Sequence, residues 1–142
     1  MTDIAVDITP NSNHNSALLR VHNLKKYFPV KRGRFVKNNE FIQAVCGISF
    51  GVKKGKTLAI VGESGSGKTT VARIILRLEQ ADAGEVFFEG NNILKYDAGD
   101  VGRLRQEIQM IFQDPYSSLN PHKTVYKIIG EPLKIHKICS KQ

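Results

Sequence analysis

The chain has 142 residues, of which 41% are hydrophobic and 24% charged, a composition typical of one soluble globular domain rather than a disordered chain. The 21 Lys and Arg residues outnumber the 13 Asp and Glu residues and give a formal charge of +8. This charge is consistent with a polyanionic partner, but also with an ordinary protein surface exposed to solvent. Cys46 and Cys139 lack metal spacing, and no apolar run is long enough for a membrane span. The sequence therefore predicts a cytoplasmic chain without disulfides.

The N-terminal region divides into a polar leader and two strands. Residues 1–16 are Asn-rich and aperiodic, which predicts a disordered leader. Residues 17–24 and 41–52 have the composition and alternation of strands.

A basic and aromatic stretch, residues 25–40, lies between these strands. It is consistent with a nucleic-acid surface, in which cations contact phosphates and rings stack on bases, but a charged, hydrated hairpin connection is the favoured interpretation. A third interpretation assigns Phe28 or Tyr27 to stacking on an adenine ring.

The strongest motif is LAIVGESGSGKTTVARIILRL at residues 58–78. It fits the G-x-x-x-x-G-K-[ST] phosphate-binding loop, preceded by an apolar run predicted as a buried parallel strand and followed by a helix with an apolar stripe reaching Leu78. Glycines let the loop turn so that backbone N–H groups converge on phosphate oxygens at a helix N-terminus. Lys68 is expected to reach the β- and γ-phosphates, Thr69 to ligate Mg²⁺, and Thr70 to donate to the α-phosphate.

The remaining elements alternate between strand and helix. Residues 85–89 and 107–112 are predicted as strands, and residues 101–106 as a short helix. Residues 125–138 have helical spacing that is expected to be interrupted at Pro132.

The order of motifs resembles the ATP-binding subunit of an ABC transporter, in the oligopeptide/dipeptide importer branch. The motifs are an aromatic residue after the first strand, GESGSGKTT, GEVFFEG and MIFQDPYSSLNP. From about Ala17 onward, the resemblance implies an α/β fold: a P-loop NTPase (ABC ATPase) core with an N-terminal antiparallel β subdomain. Residues 17–142 would be the N-terminal part of such a nucleotide-binding domain.

The resemblance also implies the cofactors ATP and Mg²⁺. Phe28 matches the adenine-stacking aromatic, and Gln113 matches the Q-loop glutamine that contacts Mg²⁺ and the attacking water. Thr69 and Gln113 are the implied metal-binding residues. The nucleotide contacts implied by the resemblance are Phe28, Gly62, Glu63, Ser64, Gly65, Ser66, Gly67, Lys68, Thr69, Thr70 and Gln113.

The sequence departs from the family pattern after the Q-loop. It contains no LSGGQ-like signature and no apolar strand ending in an Asp–Glu pair, and His136 lies too early to be the switch histidine. The C-terminal half of the domain is therefore expected to be missing. We predict that this chain binds ATP but barely hydrolyses it, and that an unpaired loop strand leaves it marginally stable.

The implied partners are the membrane subunits of a transporter and a second ATP-binding subunit, with the chain peripheral to the inner face of the cell membrane. No nucleic acid is expected. The alternatives are a basic nucleic-acid-binding module, a non-functional gene remnant, and a small-molecule kinase, for which no acceptor-binding residues are evident.

Overall fold

Two long strands form an antiparallel pair in the computed structural model, which describes residues 17–30, 40–114, 119–136 and 138. They are β1 (Ala17–Pro29) and β2 (Phe41–Lys53), each of 13 residues. The predicted leader and residues 31–39 of the basic stretch lie outside the described residues. The chain divides into two compact units, Met1–Asp97 and Ala98–Gln142.

The first unit is built on a four-stranded sheet with the order β2-β1-β3-β4. The strand β3 (Ala83–Phe88) pairs with β1, and the two-residue β4 (Asn91–Asn92) pairs with β3, both antiparallel. A 3₁₀ turn, Ile93–Lys95, follows β4. Apart from its ends, β1 is therefore hydrogen-bonded on both edges, and an irregularity between Val21 and Leu24 interrupts the alternation of its side chains between the two faces of the sheet.

The helix α1 (Lys68–Ile75) contributes Val71 and Ile74 to the core of this unit. The two residues are three positions apart, which places them on one face of the helix. Buried apolar side chains from the sheet and the neighbouring turns complete the core: Val21, Leu24, Val45, Phe50, Leu76, Val86 and Ile93.

We expect Ile74→Val to lower the free energy of unfolding by about 0.5–1.5 kcal/mol, because it removes one methylene from a side chain with 0% exposure. Ile42→Val makes the same chemical change where the residue is 60% exposed, and should have almost no effect. Urea unfolding of both variants compares the two sites. Equal losses would show that Ile74 is not part of the core.

The described residues of the second unit form two helices, α2 (Ala98–Glu107) and α3 (Val125–Ile135). Leu104 is the buried apolar residue of α2. The Thr124 hydroxyl accepts a hydrogen bond from the Lys127 N–H and caps the start of α3, a common role for threonine. None of the described residues of α3 is buried.

Most of the predicted elements are confirmed, but two predicted strands are wrong. Residues 58–61 and 108–112 are not in strands, and Val61 and Ile111 are 69% and 92% exposed. The physical reason is shared: in the part of the chain that the structure describes, no strand is hydrogen-bonded beside either run. A strand is stabilised by such pairing, so apolar alternation alone is insufficient.

Two helix predictions are also corrected. The apolar stripe is predicted to extend to Leu78, but α1 ends at Ile75, Arg77 has a φ of 54°, and Leu78 is 52% exposed. Conversely, α3 continues through Pro132 instead of being interrupted there. The proline removes one N–H donor, but its own carbonyl still accepts from the His136 N–H at 2.9 Å, so the flanking turn is retained.

Among the described residues, none of the helices combines the length and the apolar character that crossing a bilayer requires.

Candidate functional site

The glycine-rich loop leads directly into α1 in the first unit. Within the loop, the Ser66 N–H donates to the Glu63 carbonyl oxygen at 3.2 Å and closes a turn. The helix begins at Lys68, and the Val71 N–H donates to the Gly67 carbonyl oxygen at 3.0 Å. The motif therefore has the predicted loop-to-helix arrangement, although the run before it is not a strand.

Gly67 brings the loop against β2. Its φ is 94°, a left-handed conformation that residues with a Cβ rarely adopt. A Cβ at this position would overlap the Ala44 carbonyl oxygen and lie 3.6 Å from Val45 Cγ2. The absence of a side chain thus permits both the turn and the close approach of the two backbones.

The Lys68 ammonium is folded back over the loop. Its Nζ donates to the Gly62 carbonyl oxygen at 2.7 Å, the Glu63 carbonyl oxygen at 2.6 Å and Ser66 Oγ at 3.2 Å. An ammonium group has three donors, and all three have partners here. The cation is therefore held at the loop by neutral acceptors, which a negatively charged phosphate oxygen could replace.

The N-terminus of α1 offers further donors for an anion. Gly67 precedes the helix and supplies no side-chain cap, and the first turn contains no acidic residue. The first amide N–H groups of a helix lack intrahelical partners, and the helix dipole is positive at this end. Thr69 is exposed and Thr70 half-buried in the same turn. Together with Lys68, this end of the helix can bind a phosphate group.

Phe28 lies near the end of β1 and is 37% exposed. It follows Lys26 by two positions, so their side chains share one face of the strand, and the Lys26 Nζ is 5.1 Å from the ring centroid. Lys26 is paired with Val45, the residue beside Gly67. Since directly paired residues project to the same face, Phe28 lies on the face that the loop contacts.

Tyr27, the alternative aromatic candidate, has different contacts. Its N–H donates to Asp82 Oδ2 at 2.6 Å, and its hydroxyl accepts a hydrogen bond from Gln43 Nε2 at 3.4 Å. Neighbouring residues of a strand point to opposite faces, so Tyr27 does not share the face of Phe28. The strand geometry favours Phe28 over Tyr27 as the aromatic residue on the side of the loop.

Gln113 is exposed and belongs to the second unit. Its role beside Mg²⁺ therefore remains a prediction. Within the described residues there is no cluster of three or more His, Cys, Asp or Glu side chains that could hold a metal ion.

One residue beside this site is not identified by the sequence pattern. Lys26 belongs to the basic stretch, for which the sequence predicts a hydrated connection, yet it is only 8% exposed. The available signal is its spacing, since it lies two positions before Phe28 within an alternating strand.

Three comparisons relate the chain to known proteins. A family model described as ABC transporter matches residues 45–141. The dipeptide transport ATP-binding protein DppF of Haemophilus influenzae is 43% identical over 136 residues, covering 95% of this chain and 41% of that protein. The oligopeptide transport ATP-binding protein AppF of Bacillus subtilis is 42% identical over 126 residues, covering 88% of this chain and 38% of that protein.

A solved structure gives the corresponding match in three dimensions. The dimeric ATP-binding cassette MJ0796 in a post-hydrolysis state, bound to ADP and Pi, has a TM-score of 0.70 and 26% sequence identity. The match covers 87% of this chain and 50% of the cassette. The chain thus spans about two fifths of the length of these two curated relatives and half of this cassette.

Proposed function

The chain belongs to the ABC transporter family. We propose that it contains the phosphate-binding region of an ATP-binding subunit and that it binds Mg²⁺-ATP. The observation that carries the proposal is the Lys68 ammonium, held by loop acceptors at 2.6–3.2 Å beside an uncapped helix N-terminus. A cation and several free amide donors at one point suit a polyphosphate better than any neutral ligand.

The proposed contacts follow the loop and the first turn of α1. Residues 62–67 would surround the phosphates with backbone N–H groups, and Lys68 would exchange loop acceptors for phosphate oxygens. Thr69 would ligate Mg²⁺ through its hydroxyl, and Thr70 would donate to the α-phosphate. Phe28 would stack on the adenine ring, and Gln113 would contact Mg²⁺.

We further propose that this chain binds ATP and turns it over only slowly. Phosphoryl transfer to water depends on a residue that orients the water and on groups that neutralise developing charge. The amino-acid sequence contains no apolar run followed by an Asp–Glu pair that would supply them. Slow turnover combined with intact phosphate contacts is the expected result.

We also propose a role in peptide import powered by ATP. The support is the set of relatives named as dipeptide and oligopeptide transport ATP-binding proteins. Membrane subunits and a second ATP-binding subunit would be its partners, at the cytoplasmic face of the membrane.

Lys68→Ala should weaken Mg²⁺-ATP binding by about 10- to 100-fold, because it removes a charge-assisted contact from the phosphates. Fluorescence titration with a labelled ATP analogue, displaced by ATP, gives the dissociation constant. Lys56→Ala is the matched control, since Lys56 is an exposed lysine shortly before the loop. Its affinity should stay within about twofold of the original chain.

Two results would contradict the proposal. One is an ATP affinity that is the same with and without Lys68. The other is tight DNA or RNA binding that falls steeply with salt and ignores Lys68→Ala, which would assign the charge of +8 to a nucleic-acid partner.

A further inference from the structure

Lys26 is a buried cation on the face of the sheet that the loop contacts. The residue is 8% exposed, whereas lysine is among the residues least often buried. Removing an ammonium group from water is costly unless charged or polar partners replace the solvent. The contacts of Lys26 therefore indicate what holds it there.

Those partners come from the segment that follows α1. The Lys26 Nζ lies 3.0 Å from Glu79 Oε1 and 3.7 Å from Asp82 Oδ2. The same Asp82 oxygen accepts the Tyr27 N–H at 2.6 Å, and the Asp82 N–H donates to the Lys25 carbonyl oxygen at 3.0 Å. Residues 79–82, which we call the post-helix segment, are thereby fastened to β1 immediately before Phe28.

The Phe28 ring lies beside this fastened cation. With the Lys26 Nζ 5.1 Å from its centroid, the ring is within the range of a cation–π contact, which favours one placement of the ring. Phe28 is nevertheless 37% exposed, so part of its surface remains open to a ligand. An exposed aromatic near a strand end would otherwise sample several rotamers.

We propose that Lys26 is a positioning residue for the nucleotide base. Its ammonium, anchored by Glu79 and Asp82, holds the Phe28 ring ready for stacking by adenine on the side of the phosphate loop. This inference rests on the proposed function, in which Phe28 contacts the base. Ordering the ring before binding lowers the entropy that is lost on binding.

The post-helix segment also connects Lys26 and Phe28 to the phosphate loop. It follows α1, whose first turn carries Lys68 and Thr69. The two ends of the proposed site, the base end at Phe28 and the phosphate end at Lys68, are therefore joined by one helix and one set of ion pairs within the first unit.

The test compares ATP with inorganic tripolyphosphate, which presents phosphates without a base. Both are titrated with Mg²⁺ into the full 142-residue chain. Lys26→Met, which keeps the length of the side chain and removes its charge, should weaken ATP binding by about 3- to 10-fold and leave tripolyphosphate unchanged. Lys26→Arg should restore most of the ATP affinity, because a guanidinium also pairs with carboxylates and stacks on rings.

Lys53→Met is the matched control for the loss of a lysine, since Lys53 is exposed at the end of β2. It should leave the affinities for both ligands unchanged. Glu79→Gln weakens the anchor without removing Lys26, and should shift the ratio of the two affinities in the same direction by a smaller factor. If Lys26→Met does not fold, the ratio of affinities measured for Glu79→Gln tests the inference in its place.

The ratio of the affinities for ATP and tripolyphosphate decides the outcome. A ratio that falls in Lys26→Met, but is the same in Phe28→Ala and in Lys26→Met/Phe28→Ala, supports positioning through the ring. A further fall from Phe28→Ala to the double variant would show that Lys26 acts on the base without the ring, and would overturn the inference. A ratio unchanged in Lys26→Met and Glu79→Gln overturns the inference, including the case in which both ligands weaken equally. If the original chain binds neither ligand, the proposed function fails, and the inference fails with it.

Discussion

Gly67→Ala should reduce ATP binding more than 100-fold. The new Cβ would overlap the Ala44 carbonyl oxygen and lie 3.2 Å from the Ala44 carbonyl carbon, so the loop would have to move away from β2. A φ of 94° adds a conformational cost of about 1–2 kcal/mol for a residue with a Cβ. Both effects fall on the residue directly before α1, where the proposed phosphate contacts begin.

The reason that the loop cannot simply give way lies in β2. Ala44 is skipped in the pairing with β1, where Lys26 is opposite Val45 and Tyr27 is opposite Gln43. Its carbonyl is part of the sheet backbone, which cannot rotate aside as a flexible side chain would. The overlap can therefore be removed only by movement of the loop. We expect this movement to displace Lys68 and the amide groups in the first turn of α1.

Gly55→Ala is the matched control for this change. Gly55 has a φ of 71°, but a Cβ there would have nothing within 4 Å. It should lose a similar amount of conformational free energy and retain ATP binding. The ATP affinity of both variants is measured by competition titration, and their stability by the thermal midpoint. The comparison separates the effect of the Cβ overlap, which only Gly67→Ala has, from the effect of backbone strain, which both have. Wild-type affinity in Gly67→Ala would mean that the loop has a different conformation when it binds its ligand.

Gly84→Ala should destabilise the first unit by roughly 2–5 kcal/mol, the combined cost of a left-handed residue and of overpacking against backbone. Gly84 has a φ of 96°, and a Cβ would overlap the Asn23 carbonyl oxygen and lie 2.7 Å from the His22 carbonyl oxygen. The position faces a bulge in β1, because His22 pairs with Glu85 while Lys25 pairs with Ala83.

Gly90→Ala provides the comparison for Gly84→Ala. Gly90 has a φ of 82°, and a Cβ added there would meet nothing within 4 Å, so only the strain of a left-handed residue, about 1–2 kcal/mol, should be lost. Urea unfolding followed by circular dichroism measures the difference. Equal destabilisation of the two variants would show that the close approach of β1 and β3 at this bulge is not required. A Gly84→Ala chain that fails to fold agrees with the prediction.

The loop could be predicted from the sequence because its chemistry depends on local spacing. Six residues from Gly62 to Gly67, followed by Lys68 and Thr69, turn the chain and start a helix with little help from distant contacts. The strand pair of β1 and β2 was likewise predictable from alternation. These features are decided by residues close together in the chain.

The failures concern features that need a partner distant in sequence. The runs at residues 58–61 and 108–112 are apolar enough for strands, but no described strand pairs with them. The burial of Lys26 depends on Glu79 and Asp82, which are far from it along the chain. Neither a composition nor a period can indicate which distant carboxylate will approach a lysine.

The amino-acid sequence by itself determined the phosphate loop and the helix that follows it, because spacing within a few turns is enough for both, and the order of its motifs along the chain indicated the family. Only the tertiary structure decided that Lys26 leaves solvent for two carboxylates beside Phe28, and that Gly67 and Gly84 each lie against a carbonyl of a bulged strand. Such contacts form where the sheet brings separate segments together, and their free energy depends on distances that the linear order of residues does not contain.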